Sequence, residues 1–396
     1  MKKILITGGE MKNKGAQSMT FIVVDEMHKR FPDHEVVLIL PESVSVDEKE
    51  RRNYKFTIDN MHSIVPVLKK YSLFYKMYYL IKGYDKKAYA DSVAFYNDVD
   101  LILDISGYGL GSDWDDYEVE SYLHRIMYAK AFGINIYLLP QSFGPFEYKG
   151  INGKIIKRKI KKWLHYPTKI FARETDGYSI LANDFHLNNV IKSYDLVLSN
   201  KSIDLENIYY EIPELCIPDI LDSSVAIIPN AQNEKYGNAD EIYDLYIQII
   251  RLLRSEGKNV YILRHSNQDL DSCKRIKSSF EEDEKVLLLT KDYSCIEFNS
   301  FISKFDFVVA SRFHAVVHAY KNCVPSVTLG WAVKYAELHE IFQQKEFVFN
   351  IRESFSTAII LNSIKEMVHK YPIETKKIQT QLNEVQKNNV FDLIKI

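Results

Sequence analysis

Short β-branched apolar runs alternate with helix-patterned segments along this chain, and that alternation restricts its fold more than any other feature. Residues 3–7, 36–40, 101–106, 135–139 and 169–172 are mostly apolar on both faces, as strands inside a parallel sheet are. Between the first two, residues 16–31 carry Met19, Ile22, Val23 and Met27 on one helical face, and 118–132 ends at Gly133, a residue suited to stopping a helix. The second half repeats the scheme, with strands at 225–229, 260–263, 286–289, 307–310 and 326–329. Residues 239–256 place Ile242, Leu245, Tyr246, Ile249, Ile250 and Leu253 at helical spacing before Gly257. The expected fold class is α/β, with two Rossmann-like doubly wound domains. The first domain is expected over 1–200 and a polar linker holding Pro213 and Pro218 over 201–222. The second is expected over 223–370, followed by a polar helix over 371–396 that either packs back on the first domain or runs free.

Composition then removes several function classes. Lys plus Arg is 51 and Asp plus Glu is 53, a balance unlike that of a dedicated nucleic-acid binder. The 4 cysteines, at positions 216, 273, 295 and 323, form no CxxC pair, which excludes a disulfide scaffold or a cysteine-rich zinc site and suits a reducing cytoplasm. The opening apolar run stops at Thr7-Gly8-Gly9, too early for a signal peptide, and reads as a first strand. The aromatic stretch 71–81 is too short to span a bilayer and holds Lys76; it reads as a packing helix or an anchoring surface.

In open α/β sheets ligands sit beyond the carboxyl ends of the strands, so the residues that follow each strand carry the functional reading. After the first strand, Gly8, Gly9 and Gly15 soften a turn into a helix whose N-terminus can face an anion, although the run is neither GxGxxG nor a Walker loop. Gly107, Gly109 and Gly111 follow the third strand, beside Asp104, Asp113, Asp115 and Asp116; these acids read as a metal cluster or as a helix N-terminus. The segment 140–145 (PQSFGP) reads as a rigid loop, where Gln141 and Ser142 could read sugar hydroxyls or merely make a turn. Arg173 after the next strand can grip a phosphate or carboxylate, or pair with Glu174 or Asp176.

The most pointed pattern is Ser311-Arg312-Phe313-His314-Ala315. It follows a strand directly and precedes a helix expected over 312–321, with Ser311 at the N-cap. Arg312 and His314 then occupy a first turn that favours an anion, with a guanidinium fork and an imidazole able to give or take a proton. The alternative is a helix-start ion pair and a satisfied histidine. His318, four residues on, gives a zinc-like spacing without the glutamate of HExxH. Lys334, beyond Gly330-Trp331, can meet a second anionic group at the same sheet edge.

The run 311–338 (SRFHAVVHAYKNCVPSVTLGWAVKYAEL) resembles the signature of the polysaccharide pyruvyl transferase family. Gln141–Pro145, Arg173 and the Asn13-Lys14-Gly15 loop match in the family's order, so the resemblance covers about residues 4–345. Many members have Asn-x-Gly-Asp in the first loop, where this chain has Ala16 in the acid's place. The resemblance implies a fold similar to the GT-B glycosyltransferase arrangement. It also implies transfer of a pyruvyl group from phosphoenolpyruvate to sugar hydroxyls of a surface polysaccharide or its precursor, forming a pyruvate ketal. It places Arg312 and His314 at the donor, and the chemistry of an imidazole there makes His314 the expected general acid toward the enol carbon. Asn13, Gly15, Gly107, Gln141, Ser142, Arg173, Ser311 and Lys334 are the expected substrate-binding residues. Phosphoenolpyruvate is the donor substrate, and no cofactor or metal is needed by this scheme.

The expected partners are phosphoenolpyruvate and a sugar or lipid-linked oligosaccharide on the first domain, near 107–113 and 141–145. Residues 149–162 hold seven basic side chains beside an apolar side, which suits either plain solvation or an anionic membrane surface. The expected location is cytoplasmic, including the inner face of the membrane. A rival reading is a nucleotide-sugar glycosyltransferase of the same architecture, with Glu337 or Glu340 as candidates to grip a ribose. A catalytically silent sugar-binding relative ranks third, because Arg312 and His314 are both present.

Overall fold

A computed structural model describes residues 1–41, 44, 46–60, 86–331 and 333–396; the aromatic stretch 71–81 lies outside them. The first domain is built on a parallel sheet of β1 (Lys3–Thr7), β2 (Glu35–Leu40), β3 (Thr57–Asn60), β4 (Val99–Asp104), β5 (Tyr108–Leu110), β6 (Asn135–Phe143), β7 (Lys169–Ala172) and β8 (Val190–Lys192). Its order is β3-β2-β1-β4-β6-β7-β8, with β5 against the end of β6. The second domain holds β9 (Ser224–Ile228), β10 (Asn259–Leu263), β11 (Val286–Leu289), β12 (Phe307–Ala310), β13 (Ser326–Gly330) and β14 (Val348–Asn350), ordered β11-β10-β9-β12-β13-β14 and also parallel. In each sheet the strand order reverses direction beside the first strand of its domain, which is where such sheets open a crevice.

Local chemistry accounts for the helix ends. Asn13 caps the helix Lys14–Arg30 by accepting from the N–H groups of Gly15 (3.0 Å) and Ala16 (3.3 Å). Asp115 and Glu118 form a capping box on the helix Asp116–Phe132, which stops at Gly133 in the left-handed conformation (φ 70°). The acids at 115 and 116 are therefore a helix start. Asp104 is buried under Thr7, Arg125, Gln141 and the Ser106 amide. Among the described residues, no group of three or more His, Cys, Asp or Glu is placed to hold a metal.

Two expectations need correction. The segment 140–143 is strand rather than loop: β6 runs on to Phe143, with its pairing to β7 shifting register between Leu138 and Gln141. Pro140 has no N–H for the ladder, so pairing is interrupted there and resumes at Gln141, while β5 supplies a partner for Ser142 and Phe143. The boundary at 370/371 falls inside one helix, Thr357–Val385. Its buried Ile378, Leu382 and Val385 continue into Val390, Phe391 and Ile394, which share a core with the first domain. The tail is fastened there by Arg30 on Asp392 (2.7 Å) and by the Lys395 amide on Tyr137 Oη (3.1 Å).

That same core joins the facing sides of both sheets, from Ile4 and Ile6 to Ile228, Val308 and Ala310, so the domains meet over a continuous apolar surface. Polar contacts fix the register of this meeting. Lys14, 2% exposed, donates to Asp292 (2.9 Å) and to the His265 carbonyl (3.2 Å) of the second domain. Gln17 accepts from the Cys295 amide (2.8 Å), and Ser18 Oγ lies 3.3 Å from His318 Nε2. No helix among the described residues is long and apolar enough to cross a membrane.

Candidate active site

A cavity of about 540 Å³ opens between the domains at the carboxyl ends of both sheets. The first domain contributes Asn13, Tyr108, Asp113 and Trp114; the second contributes the residues that follow β9, β10, β12, β13 and β14. Each sits where a strand ends and the chain turns, which is why side chains remote in sequence converge.

Arg312 lies just past β12 and is itself the N-cap of the helix Phe313–Lys321, with no side chain capping that turn. Its Nε and Nη2 edge grips Asp269: Nη2 to Oδ1 is 2.6 Å and Nε to Oδ2 is 3.0 Å. Asp269, 0% exposed, also accepts from the Ala231 and Ser266 amides (3.1 Å each), so its position is fixed from three elements. A side-on pair of this kind orients the guanidinium and leaves the Nη1 edge, which has no hydrogen bond among the described residues, for an anion in the cavity.

The His314 ring lies directly on the backbone of Gly15. A Cβ at position 15 would stand 2.1 Å from His314 Cγ, so glycine is required there for the two domains to approach. His314 Nε2 is buried without a hydrogen-bond partner. Burial pushes its pKa down to about 4; Asp195 opposes this, while Arg173 and Lys334 add to it. His265, 2% exposed, has an equally unpartnered Nε2 and lines the same cavity. Burial, with Lys14, His318, His314 and Arg312 nearby, drives its pKa well below the usual histidine value. Both imidazoles are neutral near pH 7 in the unliganded protein.

Two more cations face this space without a carboxylate in ion-pair reach among the described residues. Lys334 Nζ is ringed by aromatic faces, 5.3 Å from Phe313, 5.7 Å from Tyr108, 5.9 Å from Trp331 and 6.0 Å from Tyr335. Burial, then Arg173, lowers its pKa to about 8. Arg352 stacks 3.8 Å above Trp331 and donates from Nε to Asn233 (3.1 Å). Burial lowers its pKa as well.

Of the residues singled out from sequence, Asn13, Arg312, His314 and Lys334 line this cavity. Gly15 stands behind His314 rather than in the opening. Ser311 is not an N-cap: the helix starts two residues later, and its buried hydroxyl pairs with Tyr246 Oη (2.7 Å) in the core. Gln141 is 0% exposed and bonded to Tyr122 and Asp104, so it reads no sugar. Gly107 turns at φ 68° against Met19, outside the lining. Arg173 is fully engaged with Glu174 (2.9 Å), Asp195 (2.7 Å) and Ser142 (2.6 Å), and its guanidinium stacks 4.6 Å from the Phe313 ring. It braces the wall between the domains instead of lining the cavity. Ser142 borders a second, adjoining cavity. Glu337, a candidate for a ribose grip, accepts from the Thr175 amide (2.7 Å) and from Lys192 (3.3 Å) of the first domain; Glu340 pairs with Lys345 (2.6 Å).

Sequence reading missed His265, Asp269 and Arg352. The rule that found Arg312 would have pointed at two of them, since His265 lies two residues beyond β10 and Arg352 two beyond β14, but no surrounding motif marked them, and Asp269 lies six residues beyond β10.

A family model described as polysaccharide pyruvyl transferase matches residues 13–332. The chain belongs to the polysaccharide pyruvyl transferase family. The matched span reaches from the Asn13 cap to the end of β13 and so covers the Arg312–His314 turn and most of both domains. A search of curated proteins finds none that matches. Solved structures resemble it in fold. Staphylococcus aureus MnaA, solved with UDP, superposes with a TM-score of 0.56 at 10% identity, covering 97% of this chain and 91% of that one. The UDP-GlcNAc 2-epimerase of Methanocaldococcus jannaschii gives 0.54 at 12% identity, with 93% of each chain covered. A mutant of S. aureus TarM, solved with fondaparinux, alpha-GlcNAc-glycerol and UDP, gives 0.54 at 11% identity, covering 99% and 98%. At such identities the likeness is one of architecture: two Rossmann-like domains in the GT-B arrangement.

Proposed function

We propose that this protein moves a pyruvyl group from phosphoenolpyruvate onto two hydroxyls of a sugar in a surface polysaccharide or its precursor, giving a pyruvate ketal and inorganic phosphate. The observation that carries this reading is the convergence of Arg312, Lys334, Arg352 and His314, whose buried Nε2 has no partner, in the lining of one cavity of about 540 Å³. Phosphoenolpyruvate carries a carboxylate and a phosphate, and cations whose donor groups are not all taken by the protein suit it. Arg312, held edge-on by Asp269, takes one anionic group, and Lys334 and Arg352 take the other.

His314 then works as general acid. Neutral in the free protein, it gains a proton as the donor's negative charge arrives and opposes the depression caused by burial. It delivers that proton to the methylene carbon while a sugar hydroxyl adds to the central carbon and passes its own proton back to the emptied imidazole. Phosphate leaves with the carbon–oxygen bond pair. The second hydroxyl closes the ketal, and its proton goes to the phosphate. The cations stabilise charge as it shifts onto the leaving group. No metal or cofactor takes part in this scheme.

The test is to incubate the protein with phosphoenolpyruvate and a glycan panel, follow phosphate release and look for added pyruvate by mass. Release of a nucleotide from a nucleotide-sugar, with no use of phosphoenolpyruvate, would instead make this a glycosyltransferase. Engagement of Glu337 across the domain interface weighs against its use as a ribose grip.

A further inference from the structure

Glu337 lies on the helix Val333–Ile341 of the second domain, one turn beyond Lys334. That helix is fastened to its own domain. Tyr335 Oη donates to the Ser311 carbonyl (3.0 Å), His339 Nε2 lies 2.7 Å from Thr328 Oγ1, and Leu338 is buried. Glu337 instead reaches across to the first domain. Its two carboxylate oxygens accept from the Thr175 amide (3.0 and 2.7 Å), at the start of the helix Thr175–Ser179, where the N-cap residue Glu174 offers no side-chain bond. Oε2 also accepts from Nζ of Lys192 (3.3 Å), the last residue of β8, and Lys192 donates in turn to Thr175 Oγ1 (2.9 Å). Burial works against the charge on Glu337, but the Thr175 amide and Lys192 outweigh it and hold the pKa below the usual glutamate value. Two residues before Thr175, Arg173 stacks 4.6 Å from the Phe313 ring, and Tyr108 of the first domain lies 5.7 Å from Lys334 Nζ.

We infer that Glu337 is a positioning residue, a clasp that holds the edge of the first sheet over Lys334 and keeps water from its ammonium group. The helix is anchored without it, so what the clasp sets is how closely the first domain covers Lys334. An ammonium shielded from water acts more strongly on an anion, because Coulomb energy rises as the local dielectric falls. Burial and then Arg173 lower the Lys334 pKa to about 8; Arg173, and part of the burial, come from the covering first domain. The use of Lys334 to hold phosphoenolpyruvate rests on the function proposed above, but its enclosure by the clasp does not.

The test is trace acetylation of the whole protein across a pH series without donor, with mass spectrometry reading the apparent pKa of Lys334. Glu337→Ala is expected to raise that pKa from about 8 toward the ordinary lysine value of about 10.4. The direction is diagnostic, since loss of a nearby carboxylate by itself would lower a lysine pKa, whereas opening the edge to water raises it. Glu340→Ala removes an acid of the same helix that pairs with Lys345 inside the second domain, and is expected to leave Lys334 unchanged. Glu337→Gln keeps an oxygen for the Thr175 amide and is expected to fall between; it serves as the test if the alanine variant does not fold. With phosphoenolpyruvate, Glu337→Ala is expected to raise KM roughly threefold to tenfold, the order of one partly exposed charged hydrogen bond, and to alter kcat less. An unchanged or lowered Lys334 pKa in the Glu337 variants, or the same rise in Glu340→Ala, overturns the inference. A raised Lys334 pKa in a protein that makes no use of phosphoenolpyruvate would sustain the clasp and sink the proposed function. Use of phosphoenolpyruvate with the Lys334 pKa unmoved would do the reverse.

Discussion

The two cavities meet at Tyr108, Asp113, Trp331 and Lys334 but are built by different parts of the fold. The first draws its cations from the second domain, at the ends of β12, β13 and β14, and keeps them without carboxylate partners in the open space. Among the described residues the acid that pairs with one of them, Asp269, lies behind Arg312 and aims it. The second is lined chiefly by the first domain and rimmed by acids. Tyr108, Asp113, Trp331 and Lys334 line both, so one acid and one cation are common to the two cavities.

The largest effect that would test this contrast is on His314. His314→Ala is expected to lower turnover by about 10²–10⁴-fold, the usual worth of a positioned acid, while phosphoenolpyruvate still binds. Near-normal turnover with a folded protein would take His314 out of the reaction. Arg352→Gln is expected to raise the KM for phosphoenolpyruvate about tenfold, the order of one charged hydrogen bond. Lys334→Met should also raise the KM for phosphoenolpyruvate, because Lys334 faces the first cavity without a carboxylate partner among the described residues; an unchanged KM would take Lys334 out of donor binding. Gly15→Ala forces a methyl into the His314 ring and is expected to cost about 1–3 kcal/mol in chemical denaturation, together with a drop in turnover.

Acid pH should act on the first cavity more than on the second. The pKa of His314 is held near 4, below its unfolded value, so the unfolded chain binds more protons as pH falls below about 6.5. Stability carried by the neutral imidazole is therefore present above that value and lost progressively toward pH 4. His318, at about 3, and His339, at about 4, act in the same direction. A melting temperature that falls from pH 7 to 5, and falls less when phosphoenolpyruvate is bound, is the expected result. Histidine titration by NMR should show the His314 pKa rising on donor binding; a fall would contradict its use as an acid.

The smallest effect concerns the helix Gly150–Trp163, which begins just beyond Glu147 at the rim of the second cavity. Ile151 and Ile155 are 79% and 46% exposed and lie on one stripe with Arg158 and Lys162. Weak, salt-sensitive flotation with anionic vesicles, lost in Arg158→Glu with Lys162→Glu, is the expected outcome. Equal flotation with neutral vesicles would remove charge from the explanation.

Much of the fold was legible because parallel strands buried on both faces leave continuous apolar runs, and amphipathic helices such as Ala239–Ser255 leave a clear period. The strand at 140–143 was not, since proline and glycine signal a turn locally, and only β5 and β7 show where the ladder resumes. Within the site, Arg312, His314 and Lys334 stood out because a helix start and a family-like pattern marked them. Gln141, Ser311 and Arg173 carried the same polar chemistry but are turned inward, a distinction that depends on which face of a strand or turn meets solvent.

The sequence by itself determined the alternating elements, the two domains and the turn that carries Arg312 and His314, because periodicity and capping act within a few residues. Only the tertiary structure decided which charges remain unpaired. Asp269 with Arg312, Glu337 with Thr175, and Arg173 with Asp195 are each joined across 20 residues or more, so which cations stay open to the cavity is settled only when both sheets are closed against each other.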